Sequence, residues 1–579
     1  MTAALPSHLP LLAALVDELA RSGVQHAVLS PGSRNAPILL ALSNDPRIRC
    51  WSAVDERSAG FIALGLAKAT GVPAAVCVTS GTAVSNLLPA ATEAHEAGVP
   101  LLLLTADRPA ELRDVGAGQT IDQLRIFDHL ARWVAEPDFG AASPERERAL
   151  RATTCRAVAA TTGPGRPGPV QLNLPLREPL TAAGTHAPLL DGRPGGAPWL
   201  RVHRPRSVDA HEIADLAAQC MRADRGVIVA GRCERTPELG ALLPRLAATL
   251  GWPLVADPMS GARRGPHAVA AYDLFLGALD GDVLTPDLVL RVGDLPVSKP
   301  LRAWLAGTAT AAEQVMFTPE AVWADPDAAA TVWLDADPAR TIRALNTAVS
   351  AAREGVSDAR ESLAEDGWLD RWRAAESDAL AAPGAQAVRS ADDDTLLTEP
   401  LVAHTLGTQL GPQDTLIVGA SLAIRLLERW APAIQSPPRV LSNRGANGID
   451  GVVSTAFGVA AAGAESGSSG RVLAYLGDLT LLYDQGGLAG ASRLGLPVQF
   501  VVVNNDGGRI FERLAVAKNA GDAFEPLIAT PHGLDFAHLA AFHRLEHITP
   551  ATRGELAAAL ALPADRPRLI EVRTPHGTS

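Results

Sequence analysis

Val472-Leu473-Ala474-Tyr475-Leu476-Gly477-Asp478-Leu479-Thr480 and Val498-Gln499-Phe500-Val501-Val502-Val503-Asn504-Asn505-Asp506-Gly507-Gly508 repeat one pattern, an apolar run that ends in a polar, glycine-bearing turn. Apolar runs of this length, bounded by turn residues, are strands buried on both faces, as in parallel sheets. The interval between Asp478 and Asn505 leaves room for one crossover helix. Both turns then lie at the carboxyl ends of adjacent strands, where open α/β sheets bind ligands. One carboxylate and one amide oxygen brought together there suit a hard cation such as Mg²⁺ that also holds phosphate. The spacing predicts a helix over 481–494 whose N-terminus faces the phosphate. Thr480 offers a hydroxyl, and the backbone at Gly507 can approach closely because it lacks a Cβ.

The same alternation extends outward. A helix over 9–21 stops at Gly23, and a strand over 26–30 runs into Pro31-Gly32-Ser33-Arg34. A strand over 51–54 ends at Asp55-Glu56-Arg57 and is followed by a small-residue helix over 58–69 suited to close packing. Strands over 74–78 and 101–104 end at Thr79-Ser80-Gly81-Thr82 and Thr105-Ala106-Asp107-Arg108. A second series has strands near 227–229, 253–255, 288–290 and 332–334. The Gly- and Pro-rich stretch 184–199 and the stretch 381–394, with Pro383-Gly384 and three consecutive aspartates, read as linkers. The fold class is therefore α/β, with three doubly wound domains of mainly parallel sheet over 1–183, 200–380 and 395–579.

Length and composition agree. A chain of 579 residues exceeds one core, and 47% hydrophobic with 20% charged residues is globular. A net charge of −12 disfavours nucleic acid or an anionic membrane as main partner. The five cysteines are scattered and form no CxxC, as expected of buried thiols in a reducing compartment. The first residues carry no basic region before the apolar ones, so they do not read as a signal peptide. No apolar run approaches the roughly 20 residues that span a bilayer. These features predict a cytoplasmic protein without membrane insertion.

A Gly-Asp followed one βαβ unit later by Asn-Asn resembles the signature of the thiamine-diphosphate-dependent enzymes. The resemblance implies that Asp478, Asn505 and the backbone carbonyl of Gly507 bind Mg²⁺, with Mn²⁺ as the alternative, and that the metal grips the diphosphate beside Gly477, Leu479 and Thr480. Leu479 stands where the family usually has glycine. Glu56 matches the family's catalytic glutamate, which hydrogen-bonds N1′ of the aminopyrimidine and promotes the imino tautomer that deprotonates thiazolium C2. Taken by itself, Glu56 also reads as a carboxylate stabilised at a helix N-terminus. Gly81 and Arg444 fall in further cofactor-contacting blocks. Ile449 matches the apolar wedge under the cofactor. Ile510, Phe511 and Leu514 match the apolar wall beside thiazolium and substrate.

Five blocks together resemble one branch of that family, the carboligases of menaquinone biosynthesis. They are Ser30-Pro31-Gly32-Ser33-Arg34, Thr79-Ser80-Gly81-Thr82-Ala83, Leu104-Thr105-Ala106-Asp107-Arg108-Pro109, the run from Ser442-Asn443-Arg444-Gly445 to Ile449-Asp450-Gly451, and Gly477-Asp478-Leu479. The resemblance covers the first and third domains and is thin in the middle one. It implies decarboxylation of 2-oxoglutarate and 1,4-addition of the succinyl-semialdehyde carbanion to isochorismate. Both substrates are multiply anionic, and arginine forks suit carboxylates. Ser33, Arg34, Arg108, Gln119, Lys299, Ser421 and Arg425 are the residues it places around them, and Ser421 and Arg425 are one helical turn apart. It also implies a homodimer or homotetramer with active sites at the subunit interface, and a middle domain that is a relic of a nucleotide-binding fold.

Other readings fit less well. A 2-oxoacid decarboxylase or acetohydroxyacid-synthase-like carboligase needs fewer cations for pyruvate, and none of the 14 histidines forms the His-His pair of simple pyruvate decarboxylases. A catalytically dead binding protein would not need Glu56 and all three metal positions. An NAD-dependent dehydrogenase would carry a Gly-x-Gly-x-x-Gly turn after its first strand.

Overall fold

A computed structural model describes residues 6, 8–163, 165–182, 184, 186–202, 208–279, 283–318, 324–354, 367–563 and 565–574. The apolar runs form three six-stranded sheets. The first contains β1 (His26–Leu29), β2 (Arg49–Ser52), β3 (Ala74–Val78), β4 (Leu101–Asp107), β5 (Trp133–Ala135) and β6 (Pro169–Pro175), in the order β2-β1-β3-β4-β6-β5. The second contains β7 (Gly226–Ala230), β8 (Leu254–Ala256), β9 (Ala268–Val269), β10 (Leu288–Val292), β11 (Glu313–Phe317) and β12 (Val332–Leu334), in the order β12-β11-β10-β7-β8-β9. The third contains β13 (Thr415–Val418), β14 (Arg439–Ser442), β15 (Val472–Gly477), β16 (Val498–Asn504), β17 (Glu546–Ile548) and β18 (Arg568–Arg573), in the order β14-β13-β15-β16-β18-β17. The strand pairings in all three are parallel. The first and third sheets share one topology. The middle sheet has the strand order of dinucleotide-binding domains.

Six helices position the residues of interest: α1 (Glu56–Thr70), α2 (Lys299–Gly307), α3 (Glu399–Gln409), α4 (Leu422–Trp430), α5 (Val452–Ser466) and α6 (Asp478–Tyr483). Asp55 caps α1, its side chain accepting from the N–H groups of Arg57 at 2.8 Å and Ser58 at 3.2 Å. The small residues of α1 let it lie directly on α5. A Cβ at Gly65 would strike the Thr455 carbonyl oxygen, and one at Gly458 would strike that of Ile62. This crossing joins the first and third domains through one continuous apolar core.

Two segments differ from expectation. The stretch 381–394 is largely helical, because a helix over Trp368–Ala381 reaches its start and another covers Pro383–Arg389. The helix expected over 481–494 is broken into α6, a 3-10 turn at Gln485–Leu488 and a second short helix at Ala489–Leu494. Asp484 causes the break. It turns inward, fully buried, and accepts from the Ser454 N–H at 2.9 Å in the first turn of α5. Gly486 and Gly487 then favour the irregular turn.

Burial pushes the Asp484 carboxyl up to about 6, against the lowering effect of the Ser454 N–H and of Arg57, which lies 3.8 Å away. The folded state thus holds this proton more tightly than the unfolded chain. The stability linked to it is present below about pH 4 and lost as pH rises through about 6. Asp484→Asn should therefore melt above the parent at pH 8, by up to about 3 kcal/mol in stability. The gain should shrink as pH falls below 5. Thermal denaturation across this range checks it.

Candidate active site

The carboxyl ends of β13, β15 and β16 surround a cavity of about 140 Å³. Gly477, Asp478, Leu479, Thr480, Asn505, Gly507, Ile510, Phe511, Ser421 and Ile449 all line it. Parallel pairing of β15 with β16 sets Gly477 beside Val503, so the two quoted turns emerge side by side. The Gly507 N–H donates to Asp478 Oδ2 at 2.8 Å, and the Leu479 N–H donates to Oδ1 at 2.6 Å. Gly507 has φ 126°, and a Cβ there would collide with the Ala529 carbonyl oxygen. Only glycine fits this position.

Further residues hold the two acceptors, and sequence reading found none of them. His532 Nδ1 accepts the Leu534 N–H at 3.0 Å, so the proton is on Nε2, which faces Asp478 Oδ2 at 3.3 Å. Glu399, the first residue of α3, accepts from Asn505 Nδ2 at 2.6 Å. Arg509, buried, donates to the carbonyl oxygens of Asn505 and Asp506 and pairs with Glu525 at 2.9 Å. The segment 525–533 thus packs onto the loop after β16. Burial raises the Asp478 carboxyl, and the N–H groups of Gly507 and Leu479 oppose this. A buried carboxylate, an amide oxygen and a backbone carbonyl form a donor set fit for a hard cation that completes its shell with phosphate and water. Among the described residues no three His, Cys, Asp or Glu side chains cluster as a metal site. That is consistent with a set containing one carboxylate. The helix expected to face a phosphate is only six residues long, and its Leu479 N–H already serves Asp478.

A second group gathers at the ends of β1, β3 and β4. Arg108 donates to Ser80 Oγ, Gln119 Nε2 donates to the Ser80 carbonyl oxygen at 2.9 Å, and the Gly81 N–H donates to Gln123 at 2.9 Å. Arg34, next to Ser33, reaches the Leu176 carbonyl oxygen at 2.9 Å and Glu178 at 3.3 Å. Burial and the nearby Arg34 charge lower the Arg108 pKa. The structure brings Ser33, Arg34, Gly81, Arg108 and Gln119 together around this end of the first sheet.

A third group lies beside the cavity. Burial lowers the pKa of Arg425, on α4, and so does the charge of Arg302, on α2. Arg444, after β14, is lowered by burial and by Arg425 and Arg302. Among the described residues none of the three is in a salt bridge. Lys299 opens α2, one turn from Arg302, which sequence reading passed over.

None of the first-sheet group, nor Lys299, Arg425 or Arg444, lines the cavity, and neither do Glu56 and Leu514. Glu56 opens α1, whose next residue Arg57 contacts the Tyr483 carbonyl oxygen at 3.1 Å, at the opposite end of α6 from Asp478. Leu514 is 44% exposed and does not line the cavity.

Three parallel sheets, two of one topology, with an Asp–Asn–Gly acceptor set at the ends of adjacent strands, define a thiamine-pyrophosphate enzyme. Residues 11–126 match "Thiamine pyrophosphate enzyme, N-terminal TPP binding domain", 193–418 match "Middle domain of thiamine pyrophosphate", and 427–572 match "Thiamine pyrophosphate enzyme, C-terminal TPP binding domain". The 2-succinyl-5-enolpyruvyl-6-hydroxy-3-cyclohexene-1-carboxylate synthase of Chloroflexus aurantiacus is 42% identical, covering 97% of this chain and 93% of its own. The synthases of Halobacterium salinarum and Rubrobacter xylanophilus are 40% and 41% identical, each covering 97% of this chain and 94% of its own. The chain belongs to the 2-succinyl-5-enolpyruvyl-6-hydroxy-3-cyclohexene-1-carboxylate synthase family of thiamine-pyrophosphate enzymes.

Gly507→Ala is expected to cost about 1–3 kcal/mol from strain and collision. It should also break the Gly507–Asp478 hydrogen bond, and so weaken divalent-cation binding at saturating thiamine diphosphate by more than about tenfold. Calorimetric titration measures the second effect and thermal denaturation the first.

Proposed function

We propose that this chain catalyses the thiamine-diphosphate-dependent decarboxylation of 2-oxoglutarate and the 1,4-addition of the resulting four-carbon unit to isochorismate. The products are 2-succinyl-5-enolpyruvyl-6-hydroxy-3-cyclohexene-1-carboxylate and CO2. The reading rests on one observation. A cation-type acceptor set at Asp478, Asn505 and Gly507 lies near two arginines, Arg425 and Arg444, that form no salt bridge among the described residues, with the buried Asp257 opposing part of the charge at Arg444. Such a surplus of positive charge, exposed at Arg425 and half-buried at Arg444, favours a polyanionic substrate over pyruvate.

In this reading the cation is Mg²⁺, with Mn²⁺ as substitute, held by Asp478, Asn505 and the Gly507 carbonyl against the diphosphate. Thiamine diphosphate supplies the electron sink for decarboxylation. Ile449 supports it from the third domain, with Gly477, Leu479 and Thr480 lining the diphosphate end and Gly81 and Arg444 as further contacts. Glu56 holds the proton at aminopyrimidine N1′. Arg34, Arg108, Arg425 and Lys299 bind and orient carboxylates, assisted by Ser33, Gln119 and Ser421. Ile510, Phe511 and Leu514 exclude water, which strengthens each charge interaction within. The domains are those bounded by 1–183, 200–380 and 395–579.

Glu56 does not line the cavity of its own chain. We therefore take the assembly to be a homodimer or homotetramer in which Glu56 of the partner subunit completes each site. Exposed Val54 and Tyr483, beside Glu56 and at the end of α6, supply apolar surface for that contact. The described cysteines are all free, in keeping with a cytoplasmic setting. Among the described residues no helix is long and apolar enough to cross a membrane.

Purified protein with thiamine diphosphate and Mg²⁺ should consume isochorismate only when 2-oxoglutarate is present. Loss of 2-oxoglutarate with isochorismate untouched, cofactor being bound, would sink the reading. The shared site has its own check. Glu56→Gln and Asp478→Ala should each be inactive, while chains unfolded, mixed and reassembled should regain about a quarter of wild-type activity. No regain, with mixed assemblies shown to form, would place Glu56 and Asp478 in one chain's site.

A further inference from the structure

A buried amide can present either its oxygen or its NH2 group to a neighbour, and the two ends are alike in shape. For a metal ligand the difference is absolute, since oxygen donates electrons to the cation and NH2 repels it. Asn505 therefore needs a device that selects its Oδ1.

Glu399 is placed to be that device. It lies 106 residues before Asn505 in the chain, at the first position of α3. Thr398 fixes this position by accepting the Leu401 N–H, and the Leu397 N–H donates to the Ala551 carbonyl oxygen at 2.9 Å. The Glu399 side chain is 2% exposed and lines the same cavity as Asn505. Its Oε1 accepts from Asn505 Nδ2 at 2.6 Å. Among the described residues its Oε2 has no hydrogen-bond partner, so the bond to Asn505 is its sole polar side-chain contact. A carboxylate buried with one partner is costly, and an apolar residue of like volume would pack at less expense. Asn505 Oδ1, in turn, receives no hydrogen bond within the described chain.

We propose that Glu399 is a positioning residue that fixes the amide of Asn505 with its oxygen toward the cation. The carboxylate takes the NH2 group and leaves Oδ1 as the only atom presented to the cavity. Glu399 does not itself touch the metal. The inference rests on the reading of Asn505 as a cation ligand.

The test measures affinity for Mg²⁺ alone, titrated calorimetrically into the full-length protein at saturating thiamine diphosphate. Glu399→Met fills the volume without a good acceptor and should weaken Mg²⁺ binding by about 10- to 100-fold. Glu399→Gln keeps an acceptor oxygen and should stay within about threefold of wild type. In an Asn505→Ala background the Glu399→Met change should cost no more than about twofold, because a residue acting through Asn505 has nothing left to orient. Melting temperatures of the metal-free proteins report folding separately. Full additivity of the two changes, Gln as damaging as Met, or undiminished affinity in Glu399→Met would each overturn the inference. If Glu399→Met does not fold, the Gln variant decides alone, and a loss of tenfold or more overturns it. Undiminished affinity in Asn505→Ala would instead remove the ligand reading beneath it.

Discussion

The main-chain N–H groups of Ser442, Gly445 and Ala446 are held by carboxylates from the two other domains. Glu234 takes the first at 2.6 Å, and Glu93 takes the other two at 2.9 and 2.7 Å. Lys68, near the end of α1, lies between them, donating to Glu234 at 3.1 Å and to the Ser442 carbonyl oxygen at 2.6 Å. Arg439 returns the contact, donating to the Lys68 and Ala69 carbonyl oxygens. All four side chains of this junction are wholly or largely buried, so each charge depends on the others for its solvation. One turn is thereby anchored in three domains at once. Arg444 and Ile449 sit on that turn and its continuation, so their placement depends on the junction rather than on local packing.

The middle domain acts on the same region from the other side. Its strand order is that of a nucleotide-binding fold, as the expectation of a relic implied. The crevice at the switch point between β7 and β10 is narrow, however, with a cavity of only about 40 Å³. Gly231 passes so near the Asp294 backbone that no Cβ would fit, and the Arg232–Asp294 ion pair fills the gap. What the domain supplies is a clamp. Arg263 donates to the carbonyl oxygens of Glu428 and Ala431 at the end of α4, Tyr272 donates to the Glu428 carboxylate, and Asp273 pairs with Arg429 at 2.7 Å. Helix α4 carries Arg425. The domain thus fixes the helix that carries Arg425.

Much of this was legible in the chain because it follows from local pattern. Strands buried on both faces leave unbroken apolar runs, and the residues at their ends are adjacent in sequence to those runs. Asp478, Asn505, Gly507 and Arg108 were found that way. Glu399, His532 and Arg302 were not, because each acts at a distance along the chain and none sits in a run with a period. His532 lies in a Pro-His-Gly turn, and Glu399 looks like any acidic residue in a first helical turn. The break after Tyr483 escaped for a related reason. Helical periodicity continues through Asp484, and only the tertiary partner, the start of α5, turns that carboxylate inward.

The α1–α5 crossing also bears on why Glu56 does not line the Asp478 cavity of its own chain. Both helices follow the second strand of sheets with the same strand order, so they are equivalent elements of two like domains. Their contact is reciprocal: Gly65 meets the carbonyl of Thr455, three residues before Gly458, and Gly458 meets that of Ile62, three residues before Gly65. A contact in which each side presents the same position to the other has local two-fold symmetry. Glu56 stands at the N-terminus of one helix, and the turn bearing Ile449 leads into the other. Within a chain the crossing that builds the shared core leaves Glu56 outside the lining of the Asp478 cavity, at the far end of α6. In the proposed function, it is a second copy of the chain that brings the two together.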